Sequence, residues 1–244
     1  FKDTDVRKKA ADNLKKLGVE GLVVIGGDGS FTGAKLLSDE QGINVVGIPG
    51  TIDNDLAYTD YTLGFDTAVN TVLWAINALR DTMTSHDRVS LVKVMGRRCG
   101  DIALYAGICG GAEYILVPEV PYDIQKIANE IKANREKGKT ANVIVLAEGA
   151  GNENEIKTVV SVISGSDVKI TTLGHIQRGG SPSMADRMLA AKFGVKAVEL
   201  LMAGKTNRVI GCHGQKTIDL DITEALSMKK DIDKNLYAMA SKLC

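Results

Sequence analysis

Residues 21–30 read Gly-Leu-Val-Val-Ile-Gly-Gly-Asp-Gly-Ser, and residues 43–55 read Ile-Asn-Val-Val-Gly-Ile-Pro-Gly-Thr-Ile-Asp-Asn-Asp. In both stretches, a short β-branched run typical of a buried strand of a parallel sheet passes directly into a glycine-rich loop with carboxylates. Ligands of open parallel sheets bind beyond the carboxyl ends of the strands. The two loops are therefore the first candidates for a functional site, and together they indicate phosphoryl transfer.

The first loop has the composition of a phosphate-binding turn. Its glycines let the backbone approach a polyphosphate, and the N-terminus of the following helix adds N–H donors and positive potential. Asp28 would repel a phosphate, so Mg²⁺ bridging the two is expected there. The alternative is a tight strand-to-helix turn in which Asp28 caps the next helix.

The second loop carries the predicted reactive group. Thr51 offers a hydroxyl, and Asp53 and Asp55 are two carboxylates that can point into one cavity. One of them could accept a proton from a sugar hydroxyl as the oxygen attacks phosphorus. The alternative is an Asx-turn built by residues 53–55.

The rest of the chain alternates between strand and helix patterns, which predicts an α/β fold with parallel sheets covered on both faces. Helical spacing of apolar residues precedes the first strand and follows the second loop. Further strands are predicted at 89–95, 114–117, 142–147, 168–173 and 207–211, and helices near 101–110, 123–137, 153–163, 183–202 and 231–243. A chain of 244 residues is long enough for one large domain or two intertwined domains.

Two later clusters also follow predicted strands. Residues 95–101, Met-Gly-Arg-Arg-Cys-Gly-Asp, place two guanidinium groups beside a glycine turn, which suits phosphate oxygens. One of the two arginines is expected to be only solvated or ion-paired. Residues 173–182, Leu-Gly-His-Ile-Gln-Arg-Gly-Gly-Ser-Pro, predict a ligand loop with His175 and Arg178, and Glu148 is suited to accept hydrogen bonds from a polyol.

Composition excludes several other classes of function. The 30 basic and 30 acidic residues balance, without a basic tract, so nucleic acid is not an expected partner. No apolar run approaches the roughly 18 residues of a membrane span, and no signal peptide is recognisable. Four cysteines without C-x-x-C spacing and three separated histidines predict reduced thiols, no zinc site and a cytoplasmic protein. Glycine spacing that misses the dinucleotide fingerprint by one residue makes a dehydrogenase a weak alternative.

The motifs at 26–30, 49–55, 95–97, 148 and 173–182 together closely resemble the bacterial 6-phosphofructokinase family, over essentially the whole chain. The resemblance implies two intertwined three-layer α/β/α domains with mainly parallel sheets, in a homotetramer. Residues 1–64 and 177–227 would form an ATP-binding domain, and residues 65–176 and 228–244 a domain for fructose 6-phosphate and effectors. The implied reaction transfers the γ-phosphoryl of ATP to the 1-hydroxyl of fructose 6-phosphate, releasing ADP, with Mg²⁺.

Residue roles follow from the same resemblance. Asp53 would be the general base and Asp28 the Mg²⁺ ligand. The nucleotide loop would be Gly27, Asp28, Gly29 and Ser30, and the groups around the transferring phosphoryl would be Thr51, Asp55 and Arg97. The substrate-binding set would be Thr51, Asp53, Arg88, Met95, Gly96, Arg97, Glu148, Lys169, His175 and Arg178, with Arg88 and Lys169 reaching across from a neighbouring subunit. An allosteric nucleotide or phosphoenolpyruvate would be bound by Arg80, Gly111, Glu113, Lys137 and Lys139.

Several features separate this chain from alternatives. Gly29 and Gly50 favour ATP, because pyrophosphate-dependent relatives carry aspartate and lysine there. Lys169 replaces the family's usual arginine, which predicts a weaker hold on the 6-phosphate. The family's first βαβ segment has no counterpart, so we expect a fragment or an incompletely ordered enzyme. The alternatives are a pyrophosphate-dependent phosphofructokinase, a kinase of NAD or lipids, and an inactive nucleotide-binding fragment or regulatory subunit.

Overall fold

The computed structural model describes residues 1–83, 88–139 and 141–243 of the chain. The chain divides into two compact units. Unit 1 comprises Phe1–Thr51, Leu56–Gly64 and Met184–Lys230, and unit 2 comprises Ile52–Asp55, Phe65–Ser183 and Asp231–Cys244.

The helices are α1 (Thr4–Lys16), α2 (Asp28–Gln41), α3 (Phe65–Met83), α4 (Asp101–Cys109), α5 (Ile124–Glu136), α6 (Glu153–Ser164), α7 (Met184–Met202), α8 (Ile222–Ser227) and α9 (Lys234–Leu243). The strands are β1 (Leu22–Gly26), β2 (Val45–Pro49), β3 (Arg88–Val94), β4 (Tyr114–Leu116), β5 (Asn142–Ala147), β6 (Asp167–Thr172), β7 (Arg208–His213) and β8 (Lys216–Asp221). A 3₁₀ turn at Gly174–Arg178 follows β6.

Unit 1 is built on a sheet with the strand order β1-β2-β7-β8. The first three strands are parallel, and β8 runs antiparallel to β7. On one face, Val45 of β2 packs with Phe31 of α2 in a core shared with α1 and α8. On the other face, Val46 of β2 packs with Phe193 of α7. Because alternate residues of β2 face opposite sides, one apolar strand supplies both cores.

Unit 2 is built on a fully parallel sheet with the order β4-β5-β3-β6. Val92 of β3 faces a core formed with α3, α4 and α9, and Leu91 faces a core formed with α5 and α6. The three-layer α/β/α class with mainly parallel sheets is confirmed. β3 is a central strand of this sheet, so the loop that follows it lies over the middle of the carboxyl edge.

The predicted strands and helices agree with the structure to within about three residues at their ends, and two elements were missed. The missed elements, β8 and α8, lie at residues 216–227. β8 forms a hairpin with β7 that turns at Gly214, which has φ of +56°, and α8 follows it; this antiparallel addition has no place in a strict βαβ alternation. The boundaries between the two units follow residues 64, 183 and 230, whereas the predicted domain boundaries follow residues 64, 176 and 227. Residues 52–55 belong to unit 2, although the prediction places them in the first domain. The functional labels of the two domains stay predictions.

Cys99, Cys109 and Cys212 are in the thiol form. His86 and Cys244, which belong to the histidines and cysteines counted from the sequence, lie outside the described residues. Within the described ranges, no helix combines the length and the apolar character that a membrane crossing requires.

Candidate active site

The loop after β3 has a backbone that few residues can adopt. Gly96 has φ of +132° and Arg97 has φ of +53°, and the Cys99 N–H closes the turn on the Gly96 carbonyl at 2.8 Å. The Arg97 N–H donates to Glu148 Oε1 at 2.7 Å, from the residue that follows β5. Gly149 must be glycine here, because a Cβ would collide with the Arg97 carbonyl oxygen. Two neighbouring strand ends thus hold Arg97 in an unusual but defined conformation.

Asp53 lies against this loop. Its Oδ2 is 3.3 Å from Arg97 Nε, and its side chain is 6% exposed compared with 69% for Arg97. Burial raises the pKa of Asp53, and the nearby Asp55 carboxylate raises it further. Arg97 and Arg178 act in the opposite direction, and Glu148 adds a smaller increase to the Asp53 pKa. The structure therefore brings Asp53, Asp55, Arg97, Glu148 and Arg178 into one electrostatic neighbourhood of unit 2.

The raised pKa of Asp53 predicts a dependence of stability on pH. A carboxyl group with a higher pKa in the folded state destabilises the fold once it is ionised, and this cost disappears as pH falls through the folded pKa toward the unfolded value of about 3.9. We expect Asp53→Asn to raise the melting temperature at pH 7.5 and the difference to shrink near pH 4. Thermal unfolding of both proteins at the two pH values checks this, and a variant that melts lower than the wild type at pH 7.5 would contradict it.

The predicted ligand loop after β6 is a 3₁₀ turn. His175 and Arg178 are exposed, whereas Gln177 between them is 1% exposed. Gln177 Oε1 accepts from the Met95 N–H at 3.3 Å, and its Nε2 donates to the Gly174 carbonyl at 3.0 Å. Gln177 thus ties the turn to the loop after β3. Sequence reasoning missed this residue, whose only signal was its position between two candidate ligands.

Arg88 and Lys169, predicted to bind the substrate phosphate, share one counter-ion. Asp167 Oδ2 lies 3.3 Å from Arg88 Nε and 3.1 Å from Lys169 Nζ. Arg88 of β3 is in register with Asp167 of β6, so the parallel pairing brings the three side chains together. The hydrogen bond from Lys169 is the main reason that the pKa of Asp167 is lowered.

Of the residues predicted to bind an effector, Arg80, Gly111 and Lys139 lie around Glu113. Its carboxylate lies 3.3 Å from Lys139 Nζ and 4.0 Å from Arg80, and it accepts from the Val143 N–H at 2.7 Å. Arg80 also donates to the carbonyls of Gly110 and Gly111. Lys137 lies at the C-terminus of α5 and is exposed.

The first glycine loop lies in unit 1, between β1 and α2. Gly26 has no room for a Cβ, because Ser30 packs against it. The helix cap is Gly27, and Asp28 is the first residue of α2, so the alternative in which Asp28 caps the helix is wrong. Among the described residues no side chain caps this end of α2, and Asp28, Gly29 and Ser30 are exposed there. The partial positive charge at this helix N-terminus suits the binding of an anion.

The donor set fits only one kind of Mg²⁺ site. Within residues 1–83, 88–139 and 141–243, no three His, Cys, Asp or Glu side chains are grouped to hold a metal ion. Mg²⁺ is usually held by one or two carboxylates together with substrate phosphates and water. The single exposed carboxylate of Asp28 fits a Mg²⁺ ion that arrives with a polyphosphate, and does not fit an all-protein metal centre.

The strand that precedes the second loop ends at Pro49, and Gly50 then packs tightly in unit 1. A Cβ at Gly50 would approach Ile25 Cγ2 to 2.7 Å, whereas the space around a Cβ at Gly29 is open. Thr51, also in unit 1, accepts at its carbonyl from the Thr62 hydroxyl at 2.6 Å. Packing therefore restricts the size of the residue at position 50, whereas a larger residue would fit at position 29.

Comparison with known proteins identifies the family. A sequence model described as Phosphofructokinase matches residues 1–201. A relative from Clostridium tetani (strain Massachusetts / E88), named ATP-dependent 6-phosphofructokinase, is 58% identical over 243 residues, covering 100% of this chain and 76% of the relative. A relative from Clostridium perfringens (strain 13 / Type A), named ATP-dependent 6-phosphofructokinase 1, is 57% identical with the same coverage.

Solved structures agree with the sequence relatives. Phosphofructokinase from Saccharomyces cerevisiae superposes with a TM-score of 0.85 at 33% identity, covering 99% of this chain and 36% of that chain. A pyrophosphate-dependent phosphofructokinase from Marinobacter aquaeolei has a TM-score of 0.83 at 23% identity, covering 94% of this chain and 65% of that chain, and shares the fold. The fold and the relatives define a phosphoryl-transfer protein of the α/β class. The chain belongs to the phosphofructokinase family.

Proposed function

We propose that the protein transfers the γ-phosphoryl group of ATP to the 1-hydroxyl of fructose 6-phosphate, giving fructose 1,6-bisphosphate and ADP. The observation that carries this proposal is the Asp53–Arg97 pair, a buried carboxylate with a raised pKa at 3.3 Å from an exposed guanidinium. A base and a cation in contact are the two groups that phosphoryl transfer to a hydroxyl requires. The naming of the Clostridium relatives supports the same assignment.

The residues of unit 2 have separate tasks in this reaction. Asp53 accepts the proton of the sugar hydroxyl as its oxygen attacks phosphorus. Arg97, exposed and anchored through its backbone to Glu148, donates to the oxygens of the transferring phosphoryl group. Met95, Gly96, Glu148, His175 and Arg178 hold the sugar phosphate. Positioning and charge neutralisation provide most of the rate, because the protein forms no covalent bond.

The residues of unit 1 bind the donor. The N-terminus of α2, with Gly27, Gly29 and Ser30, holds phosphate oxygens through backbone N–H groups, and Thr51 contributes a hydroxyl to the transferring group. Asp28 would hold Mg²⁺, which when bound neutralises charge on the phosphates of ATP. Asp55, from unit 2, adds a second carboxylate beside Asp53.

ATP is favoured over pyrophosphate by the packing at position 50. Pyrophosphate-dependent relatives are expected to carry lysine there, and a side chain at Gly50 would have to displace Ile25. The fold itself does not discriminate, since a pyrophosphate-dependent protein shares it.

The test is to assay the purified full-length protein for fructose 1,6-bisphosphate formation with ATP or pyrophosphate as donor and Mg²⁺ present. We expect turnover with ATP and fructose 6-phosphate only. A matched reaction with NAD as acceptor tests the alternative kinase class. Turnover with pyrophosphate alone, or phosphorylation of NAD, would reject the proposed function. No turnover with any pair would favour a regulatory or inactive protein.

Arg88 and Lys169 would bind the 6-phosphate from a neighbouring subunit of a homotetramer. Since Lys169 offers a point charge in place of a two-pronged fork, we expect Lys169→Arg to lower the KM for fructose 6-phosphate by about two- to fivefold, the modest gain of a charged contact at an exposed position. Steady-state kinetics at saturating ATP measures this, with the KM for ATP as the internal control. An unchanged or raised KM for fructose 6-phosphate would argue that Lys169 does not contact the substrate.

The cluster around Glu113 is the proposed site for an allosteric nucleotide or phosphoenolpyruvate. Arg80, Lys137 and Lys139 supply positive charge, and Glu113 sets the positions of two of them by ion pairing. A cytoplasmic homotetramer is the proposed active form.

A further inference from the structure

The loop that carries Asp53 contacts the segment from Arg97 to Asp101 both at the surface and in the interior. The surface contact is Asp53 with Arg97, whose guanidinium is largely solvated. The interior contact is a hydrogen bond of 2.8 Å from Asn54 Nδ2 to Asp101 Oδ2. Asn54 is 1% exposed and Asp101 is 4% exposed. Both contacts lie within unit 2.

Asn54 needs this support because of its backbone. Its φ of +52° lies in the left-handed region, where residues other than glycine are uncommon and where asparagine is tolerated best. The Cys99 thiol donates to the Asn54 carbonyl at 3.8 Å, so residues of the Arg97 loop hold both the main chain and the side chain of Asn54. The conformation of Asn54 determines where the neighbouring Asp53 carboxylate points.

Asp101 is itself well anchored. It is the first residue of α4, where the helix dipole stabilises a carboxylate. The preceding Gly100 donates its N–H to Glu119 Oε1 at 2.8 Å, and a Cβ at Gly100 would collide with Val117. The start of α4 is thus fixed against the segment after β4, and Asp101 offers Asn54 a rigid acceptor.

We propose that Asp101 is a positioning residue for catalysis, which holds Asp53 against Arg97 through Asn54. This inference rests on the proposed function for its effect on rate. Water screens the largely exposed Arg97 guanidinium in its pair with Asp53, whereas water does not compete for the buried hydrogen bond from Asn54 to the Asp101 carboxylate. The interior contact is therefore the stronger of the two, and Arg97 can move to the phosphoryl group without releasing Asp53.

Two substitutions test the role from opposite sides. Asp101→Asn removes the charged acceptor. Asn54→Gly removes the donor and keeps a residue that adopts positive φ without strain. We expect each to lower kcat by about 10- to 100-fold, since a displacement of about 1 Å at a catalytic group costs on the order of 10²-fold, while the KM for fructose 6-phosphate changes less than about threefold. The double variant should be no worse than the single variants, because both remove one interaction.

A second readout does not depend on turnover. Arg97 lowers the Asp53 pKa, while Asp55, Glu148 and burial raise it, so a carboxylate that leaves Arg97 should titrate at higher pH. We expect the Asp53 pKa, followed by carboxyl ¹³C NMR, to rise in Asp101→Asn and in Asn54→Gly. The acid limb of the kcat/KM profile should move in the same direction.

Glu153→Gln is the matched control. It breaks the partly buried ion pair of 2.7 Å between Glu153 and Lys93 in the same unit, and we expect normal kcat and an unchanged Asp53 pKa. The positioning role is overturned if Asn54→Gly keeps the wild-type kcat and Asp53 pKa, or if the losses in the double variant add. If Asp101→Asn fails to fold, Asn54→Gly decides alone. Failure of the wild type to use ATP and fructose 6-phosphate rejects the proposed function, and the Asp53 pKa still decides the positioning claim.

Discussion

Asp53→Ser is expected to lower kcat by about 10²–10⁴-fold, the range typical for loss of a general base. The buried carboxylate of Asp53 is the group placed to accept the proton, and serine leaves the loop small and polar without a base at neutral pH. The KM for fructose 6-phosphate should change little, because other residues bind the sugar phosphate. Steady-state kinetics of the full-length protein over a range of pH measures both parameters.

The control for this substitution is Asp12→Ser, which changes an exposed aspartate of α1 and should leave kcat and KM unchanged. In the wild type, kcat/KM should fall as pH drops through the Asp53 pKa, and the raised pKa places that fall above the usual pH for an aspartate. The residual activity of the Asp53→Ser variant should lack this acid limb. Turnover at the wild-type level would remove Asp53 from its role as base.

Arg97→Met is expected to lower kcat by about 10²–10³-fold, comparable to the loss of one preorganised donor to a developing negative charge. Methionine keeps much of the aliphatic length of arginine and removes the guanidinium. The backbone hydrogen bond from residue 97 to Glu148 should persist, so the loop is expected to keep its form. Comparing kcat with the KM for each substrate shows whether the loss occurs in the transition state.

Arg98→Met is the matched control, since Arg98 is the adjacent arginine of the same loop and is also exposed. The sequence predicts that one of these two arginines is only solvated or ion-paired and has no role in the site. Because Arg97 contacts Asp53, we expect that arginine to be Arg98. We expect Arg98→Met to retain most of the wild-type kcat. Equal losses in the two variants would mean that the loop needs net positive charge and not a guanidinium at position 97.

The sheet architecture could be predicted because its signals are local. β5 is buried along its whole length and reads as a continuous apolar run after Asn142, and the helix after the second loop shows apolar residues at helical spacing. β8 and α8 were missed, since each has six residues and neither has a long apolar pattern. β8 is set by its antiparallel pairing with the adjacent β7, and the position of α8 depends on packing against α2, which is distant in sequence.

The candidate site could be predicted only in part. Asp53, Arg97 and Glu148 were identified from their motifs, and the structure places them together within unit 2. Sequence reasoning assigned no role to three residues that each contact a candidate residue or its neighbour: Gln177, Asp101 and Asp167. A polar side chain that supports another residue has no sequence pattern of its own, because its partner can lie dozens of residues away.

The sequence by itself determined the α/β class, the strand-to-loop junctions and the chemical types of the candidate groups, because apolar period and glycine position act over a few neighbouring residues. Only the tertiary structure decided that Asn54 is held by Asp101, that Arg88 and Lys169 share Asp167, and that the pKa of Asp53 is raised. Those properties depend on burial and on the distances between charges, which the chain acquires when separate strands pair and their carboxyl ends meet.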